Sequence, residues 1–293
     1  MTGTLGRQTL DAACRDLLGT AAIDAHRLTQ APRSAVYRTT LRASGLPASV
    51  IIKLHTGSAS WKAAKEHRVV TALAGSAQLG LPRALACGAV AGADVTALVL
   101  EDLGRLSLHE AVRTGDWPRH QALRLLGHLL REFHRLPRGA QPGARRAFAE
   151  QVTVLLARLP EPLRVATRGV LLRAVDLAET HDQVLCHGDL HLGNVVLPAT
   201  DPRPHLIDFE QTAPAFAEYD VAQGVVTCGV LAAGDRELIA AGYGGGLDDG
   251  LLTHLIVFHT LRGWLYAAVR EKRDTQLWQT RLNTALDQYS ALT

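Results

Sequence analysis

The chain has 293 residues, 47% of them hydrophobic, and a formal net charge of +3. That is enough apolar sequence for one large domain or two smaller ones with buried cores, which argues against a disordered chain. No run of five or six like charges offers a surface for nucleic acid or membrane, and no apolar stretch reaches the ~20 residues a membrane span requires, so neither partner is expected. Cys14, Cys87, Cys186 and Cys228 are dispersed with no C-x-x-C pair, which argues against a zinc cluster or a disulfide framework and fits a reducing cytoplasm. Only Lys53, Lys62, Lys65 and Lys272 are lysines among 31 basic residues, so each retained lysine draws scrutiny.

In chain order, an amphipathic helix comes first, with Leu10, Ala13, Cys14, Leu17 and Leu18 on one face. Strand-like runs at 36–43 and 49–55 flank a Ser-Gly-Leu-Pro turn, a helix is predicted over 60–74, and two further β-rich runs fall at 83–90 and 95–100. From Ser107 the pattern turns helical, opened by a capping box in which Glu110 answers Ser107. Ala122, Leu125, Leu126, Leu129, Leu130, Phe133 and Leu136 keep helical spacing and predict a long buried stripe. More helices are expected over 144–159 and 163–179.

The rhythm then breaks into VLCHGDLHLGNVVLPATDPRPHLIDFE, where short apolar runs alternate with polar and Gly/Pro-rich loops; such punctuation marks a site. Helices resume near Glu218 and run to the end, interrupted by a glycine-rich loop at 242–246. The chain therefore reads as an α+β protein: a small β-rich lobe, 1–101, joined through 101–106 to a larger helical lobe, 102–293.

Within the punctuated segment, His187-Gly188-Asp189-Leu190-His191-Leu192-Gly193-Asn194 precedes Ile207-Asp208-Phe209. Asp189 and Asn194 are separated as the base and the magnesium-binding Asn of the D-x-x-x-x-N kinase loop are, and Asp208 stands in the place of the Asp of D-F-G. Phosphoryl transfer needs a carboxylate near the acceptor hydroxyl and oxygen ligands for metal, and these residues supply both. A lone Asp or Asn in a loop commonly caps a turn, but an ordered set between two strands is poorly explained that way. His187 and His191 are four apart as in a zinc site, yet the H-E-x-x-H glutamate is missing.

The pattern HGD-x-x-x-x-N followed by IDFE resembles the aminoglycoside phosphotransferase family and its choline kinase-like relatives. The matching segments run from about Ala31 to Ala222. The resemblance implies a two-lobed protein-kinase-like fold that binds ATP, or GTP, with magnesium and moves the γ-phosphoryl group to a hydroxyl of a small molecule. On that resemblance, Asp189 positions the acceptor hydroxyl, Asn194 and Asp208 bind the metal, and Lys53, at the end of the run Val50-Ile51-Ile52, orients phosphates. Glu66, thirteen residues on, is the expected partner of Lys53. A helical surface pair between Lys62 and Glu66 is the rival reading.

Ser34, in a hairpin over 30–38 that lacks the usual glycine, is expected to reach phosphate oxygens. Backbone groups of Glu101 and Leu103 are expected to hold adenine, with Asp102 an exposed linker residue. Asp220 reads as structural, and Glu210 takes the place of the Gly of D-F-G. Asp248, Asp249 and Glu271 offer acidic groups to a cationic acceptor, so an aminoglycoside or other cationic antibiotic is the first expectation. An amino alcohol, sugar or macrolide, or a nucleotide-binding pseudokinase, are the alternatives. No H-R-D or A-P-E segment points to protein phosphorylation.

Overall fold

The computed structural model describes residues 5–75, 79–137, 147–199, 201–271 and 275–290. Among these residues the chain forms two compact units, one from 5–106 and 196–212, the other from 107–195 and 213–290.

The first unit opens with α1 (Arg7–Leu18), which buries Leu10, Ala13 and Cys14 and stops at Gly19 in the left-handed region. Five strands follow: β1 (Ala22–Ala31), β2 (Ser34–Leu41), β3 (Ser49–Thr56), β4 (Ala84–Ala89) and β5 (Val95–Glu101), with α2 (Trp61–Leu73) between β3 and β4. They form an antiparallel sheet in the order β1-β2-β3-β5-β4. β3 is central, with Lys53 opposite Val36 on β2 and Leu98 on β5.

Alternation along β3 sorts its residues between two environments. Val50, Ile52 and Leu54 enter one core with Leu10, Tyr37, Val95, Ala97 and Val99, whereas Ile51 packs with the smaller cluster of Ala63, Leu98 and Leu100 beneath α2. Lys53 and His55 share the face of Ile51. Truncating Ile52 or Leu54, both fully buried, to alanine would cost about 2–5 kcal/mol.

The hairpin expected over 30–38 forms, but the length of its first strand, β1, was not expected from the sequence. Only Ala22 of its ten residues is buried, so the strand carries no apolar alternation. It forms because the chain reverses tightly at Pro32-Arg33, leaving Ala31 paired with Ser34 and β1 lying along β2 as the sheet edge. The segment Val196–Thr212 belongs to this unit as well, where the Leu206 amide donates to the Gly80 carbonyl at 2.9 Å.

The second unit holds eight helices among the described residues: α3 (Leu108–Thr114), α4 (Arg119–His134), α5 (Phe148–Arg158), α6 (Glu161–Ala178), α7 (Ala217–Thr227), α8 (Ala233–Tyr243), α9 (Asp249–Tyr266) and α10 (Gln276–Ser290). The predicted cap forms, since the Glu110 amide donates to Ser107 Oγ at 3.2 Å. The start of the helix expected over 144–159 lies outside the described residues. α9 is buried at every position from Leu251 to Leu261 and packs against α5, α6, α7 and α10.

α4 and α8 cross at glycines. A β-carbon on Gly127 would lie 2.0 Å from the Ile239 carbonyl oxygen, and one on Gly242 would lie 2.0 Å from that of Arg124. Gly242 lies inside α8, so the expected glycine loop begins only at Gly244; Gly244, Gly245 and Gly246 all have positive φ. A short antiparallel pair, Val184–Cys186 with Ala213–Ala215, brackets the site segment. No helix among the described residues is long and apolar enough to cross a membrane.

Candidate active site

In the first unit, the position of Lys53 follows from the pleat of β3, which turns its side chain away from the main core. Its ammonium meets both carboxylate oxygens of Glu66 on α2 at 2.8 Å and Asp208 Oδ1 at 2.9 Å. Burial alone would lower the Lys53 pKa, but the two carboxylates outweigh it and hold the group protonated, well above the ordinary lysine range. Glu66 is completely buried, which by itself pushes its carboxyl up; Lys53 opposes that.

Glu66 Oε1 also accepts the Phe209 amide at 3.2 Å. Asp208 has φ 70° and is the only non-glycine residue with positive φ among the described residues, a conformation that costs an L-residue roughly 1–2 kcal/mol. The side chain it presents is 35% exposed. Lys62 does not pair with Glu66. Its ammonium reaches Glu210 Oε1 at 2.7 Å, because the Glu66 carboxylate is already taken by Lys53 and the Phe209 amide.

His55, two residues after Lys53 on the same strand face, is buried, and neither ring nitrogen has a hydrogen-bond partner among the described residues. Burial pushes its pKa down to about 4, so the ring is neutral near pH 7.

In the second unit, the loop after Val184–Cys186 is tied down by Asp220 of α7. The fully buried Asp220 carboxylate accepts the His187 amide at 2.6 Å and the Gly188 amide at 2.8 Å, and meets His134 Nε2 at 3.1 Å. Burial raises its pKa, yet these donors win and keep it ionised. His134 Nδ1 continues the chain to the Tyr243 hydroxyl at 2.9 Å, whose own pKa burial pushes up to about 12. With φ of 81°, Gly188 lets the backbone turn so that consecutive amides point at one carboxylate.

Asp189 Oδ1 accepts a hydrogen bond from Gln223 Nε2 at 3.1 Å. Gln223 was not singled out in the sequence, although it stands three residues after Asp220 and so shares a helix face with it. Asn194 is buried, and its amide nitrogen donates to the Asp189 carbonyl at 2.8 Å, which turns its side-chain oxygen the other way. The carboxylate of Asp208 and the side-chain oxygen of Asn194 are hard oxygen donors, the kind magnesium takes. His191 is a turn cap, its Nδ1 accepting the Gly193 amide at 3.0 Å.

The remaining sequence candidates have plainer surroundings. Ser34 opens β2 directly after the tight turn. The Glu101 amide donates to the Arg83 carbonyl at 2.9 Å, and its carboxylate takes the Arg83 amide at 3.2 Å; Leu103 follows the strand half-buried. Asp102 is not an exposed linker residue. It is held by Arg38 through two nitrogens at 2.7 and 3.0 Å and by Ser49 Oγ at 2.6 Å, because β2 and β3 bring both donors to the end of β5. Asp248 caps α9, accepting the Leu251 amide at 2.8 Å, and Asp249 is exposed in the first turn of that helix. The side chain of Glu271 lies outside the described residues.

A cavity of about 260 Å³ in this unit is lined by His109, Arg113, Arg119, His191, Leu192 and Thr227, among others, with no acidic residue in its wall among the described residues. His191 and Leu192 belong to the Asp189 loop, and Thr227 lies one helical turn beyond Gln223 on α7.

The chain belongs to the phosphotransferase enzyme family, whose model matches residues 28–252. Among solved structures, it resembles a GDP complex of aminoglycoside 2'-phosphotransferase IIIa, at 14% identity over 96% of this chain and 97% of that one, with TM-score 0.70. It also resembles a spectinomycin phosphotransferase in complex with ADP and spectinomycin, at 16% identity over 97% and 95% of the two chains, with TM-score 0.60. A choline/ethanolamine kinase family protein from Mesorhizobium loti aligns at 16% identity over 92% and 90%, with TM-score 0.65. At these identities the likeness is one of fold: a small unit built on a five-stranded antiparallel sheet and a larger helical one. Among curated protein sequences none matches significantly.

Proposed function

We propose that the protein transfers the γ-phosphoryl group of ATP to a hydroxyl of a small molecule. The observation that carries this reading is the Lys53 ammonium held between Glu66 and Asp208 at 2.8–2.9 Å, a fixed cation beside a carboxylate suited to a metal. In this reading the lobe of residues 1–101 binds nucleotide: Lys53 orients the phosphates, Glu66 fixes Lys53, Ser34 reaches phosphate oxygens, and backbone groups of Glu101 and Leu103 receive the base. GTP fits the same scheme. Asn194 and Asp208 hold magnesium, which when bound neutralises phosphate charge. Residues 102–293 supply Asp189, which accepts the hydroxyl proton and aims the oxygen, with Gln223 fixing the orientation of its carboxylate.

For the acceptor, a cationic antibiotic such as an aminoglycoside is the first candidate, supported by the phosphotransferases of similar fold and by Asp248, Asp249 and Glu271 as acidic groups of the helical unit. A second reading, a neutral acceptor such as a sugar, is supported by the cavity beside the Asp189 loop, whose wall among the described residues holds Arg113 and Arg119 but no carboxylate to receive an ammonium ion. An ATP-turnover screen over cationic, neutral and macrolide hydroxyl compounds separates them. Asp189→Asn is the control, expected to retain nucleotide binding and lose about 10²–10⁴-fold in turnover. Wild-type turnover in that variant would sink the mechanism, and absence of turnover with every hydroxyl compound would favour a nucleotide-binding pseudokinase.

A further inference from the structure

The position after Asp208-Phe209, where the D-F-G pattern has glycine, is Glu210, and its environment is specific. Lys62 and Glu66 are four residues apart on α2 and so lie on one face, a helical turn from each other. Each holds a different part of the turn that follows Asp208. Glu66 accepts the Phe209 amide at 3.2 Å, while the Lys62 ammonium reaches Glu210 Oε1 at 2.7 Å. Gln211 Nε2 donates to the same Glu210 oxygen at 3.3 Å, and the turn closes with the Thr212 amide on the Phe209 carbonyl at 3.1 Å.

The Lys62 and Glu210 side chains are only 27% and 19% exposed, which sets the pair apart from surface ion pairs that contribute almost nothing. The turn needs such a restraint. Asp208 stands at φ 70°, ψ 62°, a strained conformation for a residue with a β-carbon, and such residues persist only where surrounding contacts over-determine them. A peptide rotation returning Asp208 to an unstrained region would swing Phe209 and Glu210 away from α2 and break both attachments together.

We propose that the Lys62–Glu210 ion pair is a positioning device for Asp208: a second attachment of the Asp208 turn to α2 that keeps its carboxylate preorganised for a metal-bound nucleotide. Glu210 is thus a positioning residue that acts through Asp208, and Lys62 is its counterpart. The inference rests on the reading of Asp208 as a metal ligand.

The experiment compares wild type with Lys62→Met, Glu210→Gln, the double variant, the reversed pair Lys62→Glu/Glu210→Lys, and Asp208→Asn. Two quantities are measured on each: hydrogen exchange at the Phe209 amide in the nucleotide-free protein, and the affinity for ATP by calorimetry with magnesium and with chelator. Each single variant is expected to lose about fivefold in Phe209 protection and about fivefold in magnesium-dependent affinity, with chelator affinity unchanged. The double variant should be no worse than either single one, and the reversed pair should recover to within about twofold of wild type. Lys62 and Glu210 are partly exposed, so the variants should fold; a variant with a lowered melting temperature but wild-type exchange and metal dependence would overturn the proposal. A reversed pair no better than the single variants would do the same. If Asp208→Asn itself leaves the magnesium dependence intact, the metal-ligand reading fails; if it abolishes that dependence while the pair variants do not alter it, only the positioning role does.

Discussion

His55 gives the protein a calculable sensitivity to acid. Its ring is buried with no hydrogen-bond partner among the described residues, and burial lowers its pKa from 6.5 to about 4, with Lys53 and Lys62 adding to the effect and Glu210 and Asp208 opposing it. Between those two values the unfolded chain binds a proton that the folded chain refuses, so stability rises with pH there. The contribution is fully present above about pH 6.5 and is lost as pH falls towards 4; the complete loss is about 3 kcal/mol, and about 2 kcal/mol is gone by pH 5. The perturbation is His55→Leu, which removes the titrating ring at similar volume. Near pH 7.5 the variant should match or slightly exceed wild type, since two unpartnered nitrogens disappear with the ring. At pH 5 it should be more stable than wild type by about 2 kcal/mol, read from urea unfolding at both pH values. Carboxylates that titrate in the same range cancel in the comparison. An equal difference at pH 7.5 and pH 5 would refute the reasoning, because it would mean the folded ring accepts its proton as readily as the unfolded one.

Asp208→Ala should abolish the magnesium-dependent gain in nucleotide affinity while the protein still folds; equal metal-dependent ATP binding by calorimetry would rule out a ligand role. Lys53→Ala and Glu66→Ala should each impair turnover, and the double variant should be little worse than Lys53→Ala, whereas losses that simply multiply would show the two act independently. Asp220→Ala leaves the His187 and Gly188 amides without their carboxylate, so an unfolding free energy lower by about 3 kcal/mol is expected. A change below about 0.5 kcal/mol would mean that the loop does not depend on this tie.

What the sequence carried best was whatever local spacing and apolar rhythm encode. β3 shows as a run of β-branched residues, the α4 stripe shows at helical spacing, and Lys53 stands out because a charge at the end of an apolar strand needs a partner; Glu66 fell at a fixed distance along the next helix. The misses involve partners that only folding brings near. A Lys62–Glu66 pair stood as the rival reading because helix spacing is the only geometry a sequence displays, while the actual partner of Lys62, Glu210, is remote in sequence. Asp102 looked solvated because neither Arg38 nor Ser49 adjoins it along the chain. The hairpin over 30–38 was legible, but most of β1 escaped notice because an exposed edge strand buries almost nothing and leaves no alternation to detect. Gln223 carried a faint signal, a polar side chain on the Asp220 face of α7, which becomes legible only once Asp220 is known to point at the loop.

The glycine crossing of α4 and α8 bears on how the helical unit assembles. Gly127 and Gly242 let two backbones meet with no side chain between them, yet the two positions are separated by roughly a hundred residues, so closing that contact carries a large loop-entropy cost. Local helices can form early, each on its own. The loop that the crossing closes includes the Asp189 loop and the Asp220 carboxylate that ties it down. In the kinetics of refolding, α4 docking on α8 should therefore be a late event, and the two glycines that make it possible mark the moment at which the helical unit becomes a single cooperative body.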